Sequence, residues 1–497
     1  MSAMFRCAPG RPADVALLLE GTYPFVRGGV SAWVHKLIET LPDTTFSLVF
    51  IGGRRSDHGP AAYSFPPNVV HFERHYLFEP RKHQRGRPAD TSAVDELDRL
   101  HDHLLGASQA PTDAELVRRL ALCLQTPDGF ARDAFLHDDV CWDWICDRFR
   151  RDCPDASFAS YFWTLRSTYL GLFTLADVAR RLPPARLYHA VSTGYAGFLG
   201  ALLRHQRGRP LILTEHGIYT KERMIDLASA ESIPGGGAGR RLWMRFFQGL
   251  GRMTYASADP IIALYDGNRK RQIEDGAAAE QTRVIANGID VQRFRPLRAK
   301  LAAGPRPVIG FIGRVVPIKD VKSFIRAMKA VVAERPEVEG WIVGPTSEDE
   351  AYAAECRQLV SALGLDRNVK FLGFRAPEEI LPQLGLLALT SMSEALPLVV
   401  LEAFAAGLPV LTTDVGACRE MVEGRTPEDR ALGSAGAVVP IAAPEQTARA
   451  ALALLGDPAR WRKAQRAAVL RVETQYTQEQ MVDAYRHVYR EAAAWRA

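Results

Sequence analysis

Short apolar runs alternate with longer amphipathic stretches along most of this chain, which predicts strands and helices in turn. Val15-Ala16-Leu17-Leu18-Leu19 reads as a buried strand. A loop and a helix from about Val30 to Leu41 follow it, with Trp33, Val34, Leu37 and Ile38 on one face. Phe46 to Ile51 is the next strand. From about 60 to 183 the rhythm changes, and helical patterns dominate near 90–105, 114–124 and 158–182. That stretch reads as a mostly helical insertion. Strands return at 186–190, 210–214 and 260–264, with helices from about 194, 240 and 266. Between them, 218–239 reads as a loop with a short helix, ending in a Gly235-Gly236-Gly237 hinge. The turn-rich stretch from Asn287 to Pro307, with Pro296, Gly304 and Pro305, reads as an interdomain linker.

A second series then begins. Strands are predicted at 308–312, 340–343, 369–372, 386–390, 410–412 and 437–439, with helices such as 321–334, 350–363, 398–406 and 444–455 between them. The fold class is therefore α/β, with two Rossmann-like, doubly wound parallel sheets. The first domain covers 1–300, with its helical insertion at about 60–183, and the second covers 301–477. An amphipathic helix with Met481, Tyr485, Val488 and Tyr489 as its apolar stripe closes the chain over 478–497, and it could cross back to the first domain.

Composition narrows the function classes. A net charge of +5 over 497 residues makes no case for nucleic acid. Aromatics are only sparsely interleaved in the basic clusters at 81–87, 148–151 and 204–209, so they read as solvated surface, with anionic lipid or a partner protein left open. The seven cysteines form no CxxC pair and match no familiar zinc spacing, which suggests reduced thiols in a cytoplasmic protein. No secretory signal and no run of about 18 apolar residues is evident. Trp142, Trp144, Tyr161, Phe162 and Trp163 in the insertion read as core, with a share in an acceptor groove left open.

Candidate chemistry centres on Glu394-Ala395-Leu396-Pro397-Leu398-Val399-Val400-Leu401-Glu402. Pro397 suits the first position of a helix. The N–H groups of Leu398 and Val399 would then be free donors for an anion, with Glu402 one turn further along the same face. Two carboxylates so spaced also occur by chance, and a first-turn glutamate also complements a helix dipole. Arg314 and Lys319 lie on the loop after the first strand of the second domain, where two cations and free amides would suit a diphosphate. In the first domain, Gly28 and Gly29 open a helix after a strand, which suits either backbone contact with phosphate or a tight turn. His216 stands just past a strand's C-terminal end, where open α/β sheets bind ligands.

Gly28-Gly29, His216, Asn287-Gly288-Ile289-Asp290, Gly313-Arg314 with Lys319, Phe371-Leu372-Gly373 and Glu394-x7-Glu402 occur in the order seen in the GT-B retaining glycosyltransferases of family four, which this sequence resembles. The segments Leu19 to Pro24 and Arg27 to Ser31, with the helical insertion, are more narrowly similar to the cytoplasmic glycosyltransferases of Pel exopolysaccharide biosynthesis. The resemblance implies a GT-B fold whose two domains face each other across a cleft. It implies a UDP-sugar donor, UDP-glucose or an N-acetylhexosamine, a polysaccharide acceptor, no metal, and a membrane-bound Pel synthase and export complex as partner at the inner face of the cytoplasmic membrane. Glu394 would contact donor-sugar hydroxyls and Glu402 the ribose. Arg314, Lys319 and the Leu398 and Val399 amides would hold the diphosphate, and the Gly28-Gly29 loop would close on it. His216 would lie near the sugar, Phe374 near the base, and Asn287 among the nucleotide-binding residues. Ala395 departs from the glycine of many relatives. Two other readings stay open, a nucleotide-sugar 2-epimerase and a non-catalytic UDP-sugar-binding subunit.

Overall fold

The computed structural model describes residues 12–79, 91–106, 112–125, 132–154, 157–229, 236–301 and 303–494. The chain divides into two units, Met1–Val284 with Tyr485–Ala497, and Ile285–Ala484. In the first, β1 (Ala13–Glu20), β2 (Phe46–Gly52), β3 (Val69–Tyr76), β4 (Ala185–Ala190), β5 (Leu211–Glu215), β6 (Ile261–Ala263) and β7 (Thr282–Val284) form one parallel sheet in the order β3-β2-β1-β4-β5-β6-β7. β1 is central, with Leu17 paired to Leu48 on one side and His189 on the other. Its apolar run is buried because helices cover both faces of a parallel sheet.

The helical insertion is narrower than its pattern suggests. β3 falls inside the expected range, and the helices Thr91–Leu105, Asp113–Cys123, Arg132–His137, Asp139–Asp152 and Phe158–Arg181 follow it. β3 is an edge strand, paired among the described residues with β2 alone, and it carries the polar run Glu73, Arg74 and His75, so the continuous apolar signal is missing. Gly236 and Gly237 are no hinge but the first residues of helix Gly236–Tyr255, whose Phe246, Leu250 and Met253 are buried. Gly235 and the basic cluster 81–87 lie outside the described residues.

In the second unit, β8 (Val308–Ile312), β9 (Glu339–Val343), β10 (Val369–Gly373), β11 (Leu386–Leu389), β12 (Val410–Thr413) and β13 (Gly436–Val439) follow the same plan, in the order β10-β9-β8-β11-β12-β13. Strand order reverses between β1 and β4 in one sheet and between β8 and β11 in the other. Loops leaving the C-terminal ends of those strands diverge and leave a crevice.

The unit boundary falls at Ile285 rather than at 301. The expected linker is folded into short helices, Val291–Phe294 and Arg298–Leu301, with Phe294 and Leu301 buried and Arg298 Nε donating to Ala405 O at 2.8 Å. Packing of the first helix against Leu398–Ala406 and of the second against the turn Leu381–Gln383 outweighs the turn-forming tendency of Pro296. The closing helix Gln478–Ala494 begins in the second unit, and from Tyr485 it belongs to the first. Tyr489 OH bonds His189 Nδ1 at 2.8 Å, and the hydroxyls of Tyr485 and Thr214 meet at 3.1 Å. No helix among the described residues is long and apolar enough to cross a membrane.

Arg471 and Asp429 secure the far side of the second unit. Both are buried, and Arg471 Nε donates to Asp429 Oδ1 at 2.6 Å while its Nη groups reach the carbonyls of Val422, Asp429 and Gly433. Removing one partner strands a buried charge, at a cost of about 3–5 kcal/mol. Arg471→Met should therefore lower urea resistance of the second unit, read by circular dichroism, and adding Asp429→Asn should restore part of the loss.

Candidate functional site

The crevice of the second sheet is shaped by the loops after β8, β11 and β12, which are tied to one another. Thr390 Oγ1 donates to the Lys319 and Asp320 carbonyls at 3.2 and 3.0 Å, and Met392 N donates to Ile318 O at 2.8 Å. Thr413 Oγ1 donates to Ser391 O at 2.6 Å, and Ala417 N to Ala395 O at 2.7 Å. Gly416 sits at φ +55, where a Cβ would lie 2.3 Å from Glu394 O, so only glycine lets the third loop close on the second. This frame sets Lys319 Nζ 2.5 Å from Glu394 Oε1, which also accepts from Ser391 Oγ at 2.6 Å. The two charged side chains are only 18% and 11% exposed. At that depth each needs the other to offset desolvation. Oε2 of Glu394 is not used in these bonds, and an ammonium has two further protons to donate.

Helix Leu398–Ala406 starts one residue later than the proline pattern implies. Pro397 has ψ 118, an extended value, and stands before the helix as its cap, with its carbonyl accepting from Val400 N at 3.1 Å. The pyrrolidine ring fixes φ alone, so this proline can serve either position. Leu398 and Val399 are then the first helical residues, whose N–H groups have no acceptor within the helix. Along this helix Leu398, Val399 and Glu402 are half-buried, and Val400, Leu401 and Ala403 to Ala406 are buried. Desolvation pushes the Glu402 carboxyl up to about 7, opposed by Arg293 and reinforced by Glu378. Arg293 itself is ion-paired with Glu378.

The remaining residues expected in this unit are not drawn into that cluster. Arg314 follows β8 but pairs with Glu348 after β9 at 2.5 Å, with both side chains half-exposed. Such a surface pair contributes about 0–1 kcal/mol and is readily exchanged. Phe374 is 66% exposed, beyond the left-handed Gly373 that ends β10. Asn287 is buried with its Oδ1 unpaired, in a turn held by the bonds from Ile289 N to Tyr476 O at 2.9 Å and from Gln478 N to Ile289 O at 3.0 Å.

In the first unit, Gly28 precedes helix Gly29–Glu39 and both glycines are exposed. Gly28 has an extended φ of 173, and a Cβ there would touch nothing, so packing within the unit does not demand glycine. Open space beside the helix N-terminus is what an approaching anion needs. His216, just after β5, is buried edge-on to Trp33 at 4.4 Å between ring centroids, and burial pushes its pKa down to about 3. It is thus neutral at ordinary pH.

The first sheet's crevice also holds residues the sequence did not mark. Glu20, the last residue of β1, accepts from Tyr219 OH at 2.6 Å and from Ala196 N at 3.1 Å. Buried polar atoms without partners gather on the loops of this sheet edge and the helices they lead into: Thr22 Oγ1, Trp33 Nε1, Ser192 Oγ, Tyr195 OH and His216 Nε2. Unpaired buried groups cost about 1–3 kcal/mol each, and their concentration marks a place for a polar ligand. Only the strand order, which sets β1 beside β4, brings Glu20 and Ser192 into one crevice.

Residues 13–280 match the family described as Domain of unknown function (DUF3492), and residues 306–457 match Glycosyl transferases group 1. Among characterised relatives, the D-inositol 3-phosphate glycosyltransferase of Rhodococcus jostii RHA1 is 30% identical over 257 residues, 49% of this chain and 54% of the relative. That of Rhodococcus opacus B4 is 29% identical over 301 residues, 58% of this chain and 63% of the relative. The chain thus spans little more than half the length of these relatives. Among solved structures, Anabaena Alr3699/HepE in complex with UDP and glucose aligns with a TM-score of 0.58 at 17% identity, covering 96% of this chain and 100% of that one. Sucrose-phosphate synthase from Thermosynechococcus elongatus aligns at 0.57 and 18% identity, covering 96% and 98%. The fold is the GT-B arrangement of two parallel-sheet α/β domains.

Glu402 makes the stability of the fold depend on pH. In the unfolded chain its carboxyl ionises at its ordinary 4.5, whereas in the folded protein it keeps its proton up to about 7. The folded state binds more protons across that window, so stability falls as pH rises through it, and the loss is complete above about 7. Glu402→Gln should raise stability to denaturant by about 1–3 kcal/mol at pH 8 and leave it unchanged near pH 4. Equal gains at both pH values would show that the carboxyl is not held in its neutral form.

Proposed function

We propose that this chain, which belongs to the DUF3492 family, is a retaining, metal-independent glycosyltransferase that moves a hexose or N-acetylhexosamine from a UDP-sugar to a growing exopolysaccharide. The observation that carries the reading is the second unit's crevice. There a half-buried Lys319–Glu394 pair, two first-turn amides and the desolvated Glu402 carboxyl stand along one edge. A nucleotide-sugar needs such a set: donors for phosphate, and acceptors for sugar and ribose hydroxyls. The group 1 match over 306–457 and the UDP and glucose held by the Anabaena fold relative support a UDP-sugar donor.

In this reading Glu402 accepts the ribose hydroxyls, which draw its carboxyl into the ionised form. Glu394 offers Oε2 to a donor-sugar hydroxyl while Oε1 stays on Lys319. The acceptor hydroxyl oxygen bonds to the anomeric carbon as the bond from that carbon to the diphosphate breaks; UDP leaves with the electron pair, and its departing phosphate oxygen takes up the hydroxyl proton. Lys319, Arg314 once released from Glu348, and the Leu398 and Val399 amides meet the charge that grows on the diphosphate. Preorganised cations and dipoles of this kind stabilise a transition state without waiting for solvent to reorient. The Gly28-Gly29 loop approaches the phosphates. Neutral His216 offers a hydrogen bond near the sugar rather than a charge. Phe374 and Asn287 are assigned to the nucleotide. The Pel polysaccharide is the product inferred from the Leu19 to Ser31 pattern and the helical insertion, which resemble PelF. A membrane-bound Pel synthase and export complex would then receive the polymer at the inner face of the cytoplasmic membrane.

Calorimetry with UDP tests the nucleotide assignment. Glu402→Ala should weaken UDP about tenfold or more, the equivalent of about 1.4 kcal/mol, while Glu394→Ala should spare UDP and lower sugar transfer. Unchanged UDP affinity in Glu402→Ala removes the ribose role. UDP release, scored against a panel of UDP-sugars with donor-only hydrolysis controls, separates transfer from mere binding.

Metal independence and stereochemistry are tested together. Transfer should survive excess EDTA, while Lys319→Ala should lose about 10²-fold or more in kcat, the scale of one transition-state donor. NMR of the first product from an α-linked donor should show an α-glycoside. Activity that EDTA abolishes and Mn²⁺ restores sinks the metal-free clamp, and a β-product sinks the retaining assignment.

A further inference from the structure

The helical insertion contains a second place built for a ligand. A cavity of about 190 Å³ lies among helices Thr91–Leu105, Asp139–Asp152, Phe158–Arg181 and Gly236–Tyr255, and His101, Asp152, Tyr161, Thr164, Arg241 and Arg245 are among its lining residues. None of them belongs to the nucleotide-sugar set, and none lies on the loops that shape either sheet's crevice.

Tyr161 is 6% exposed and its hydroxyl has no hydrogen-bond partner among the described residues. An unpaired buried hydroxyl costs about 1–3 kcal/mol, and phenylalanine would fill the same space without that cost. Asp152 is held in place by His101, whose Nε2 lies 3.1 Å from Asp152 Oδ2 and whose Nδ1 lies 2.9 Å from Tyr169 OH. Since a carboxylate only accepts, the proton sits on Nε2, and Tyr169 donates to Nδ1. Burial disfavours a second proton on this imidazole, so His101 is neutral. Arg148 Nη1 approaches the same Asp152 oxygen at 3.9 Å but is already bound to Asp98 and Asp102. Arg241 and Arg245 are both exposed. Arg245 Nη1 donates to Leu105 O at 3.1 Å, and Arg241 forms no ion pair among the described residues.

The lining therefore offers two guanidinium groups at its exposed side, against a single carboxylate and an idle phenol donor at its buried side. Guanidinium forks match phosphate oxygens two at a time. A phenol and a fixed carboxylate match hydroxyls. The space is worth about six waters at about 30 Å³ each, below the range of about 300–1,000 Å³ typical for larger ligands. It suits one sugar ring with a phosphate and excludes a nucleotide-sugar. We propose that the helical insertion carries an effector site for a small phosphorylated polyol of the hexose-phosphate class, with phosphate on Arg241 and Arg245 and hydroxyls on Tyr161 and Asp152.

The full chain, without UDP, is titrated by calorimetry and thermal unfolding with glucose 1-phosphate, glucose 6-phosphate, glucose and inorganic phosphate. At least one hexose phosphate should raise the unfolding temperature and bind about tenfold or more tighter than glucose or inorganic phosphate. Arg241→Ala and Tyr161→Phe should each weaken it about tenfold, with UDP affinity unchanged. Tyr161→Phe should be at least as stable as the parent without ligand, since it deletes an unpaired group. Absence of hexose-phosphate binding overturns the proposal. So does inorganic phosphate binding equally well, or affinity unchanged in both variants, or a less stable unliganded Tyr161→Phe.

Discussion

An ammonium and a carboxylate, both mostly out of water, meet where the second sheet reverses its strand order. Each offsets part of the desolvation of the other. Lys319 and Glu394 therefore hold each other, and the loops that carry them are held in turn by Thr390, Thr413 and Gly416. One charge pair thus fixes the spacing of a cation and a carboxylate along the crevice, the two groups that the proposed reading assigns to a phosphate and a sugar hydroxyl. Fixed dipoles and charges of this kind are what electrostatic catalysis requires.

Within each unit, the crevice leaves polar groups short of partners. Glu402 is driven toward neutrality, and His216 is held neutral beside Trp33. Thr22, Ser192 and Tyr195 keep buried oxygens unpaired. Elsewhere the same chain satisfies far more demanding groups, as at Arg471, whose guanidinium is matched on every side. The contrast is informative because a fold able to satisfy Arg471 need not leave these atoms bare. Their shortfall is concentrated at the sheet edges proposed to bind ligand.

The doubly wound plan was legible because strands covered on both faces read as unbroken apolar runs, as in Val15 to Leu19 and Leu386 to Leu389. β3 was not legible, because an edge strand is written half in polar residues. The segment 287–307 departs from its turn signals for a related reason. Pro296 and Gly304 advertise turns, but the apolar pair Phe294 and Leu301 decides where the segment packs. At the second unit's edge, sequence could nominate Lys319, Glu394 and Glu402 through spacing. It could not show that Arg314 rests on Glu348, nor that Glu20 and Ser192 share a crevice, because both facts depend on loop paths and strand order.

The closing helix has a consequence for how the protein is made. His189 and Thr214 lie in the first unit's sheet, yet their buried polar atoms are matched by Tyr489 and Tyr485, 300 and 271 positions later. A ribosome emits those partners only after the whole second unit has emerged. Until then the nascent first unit holds a buried histidine without its tyrosine partner and an open apolar face where the closing helix will dock. Its folding cannot finish in the order in which it is synthesised, and a fragment cut at 284 would remain in that unfinished state.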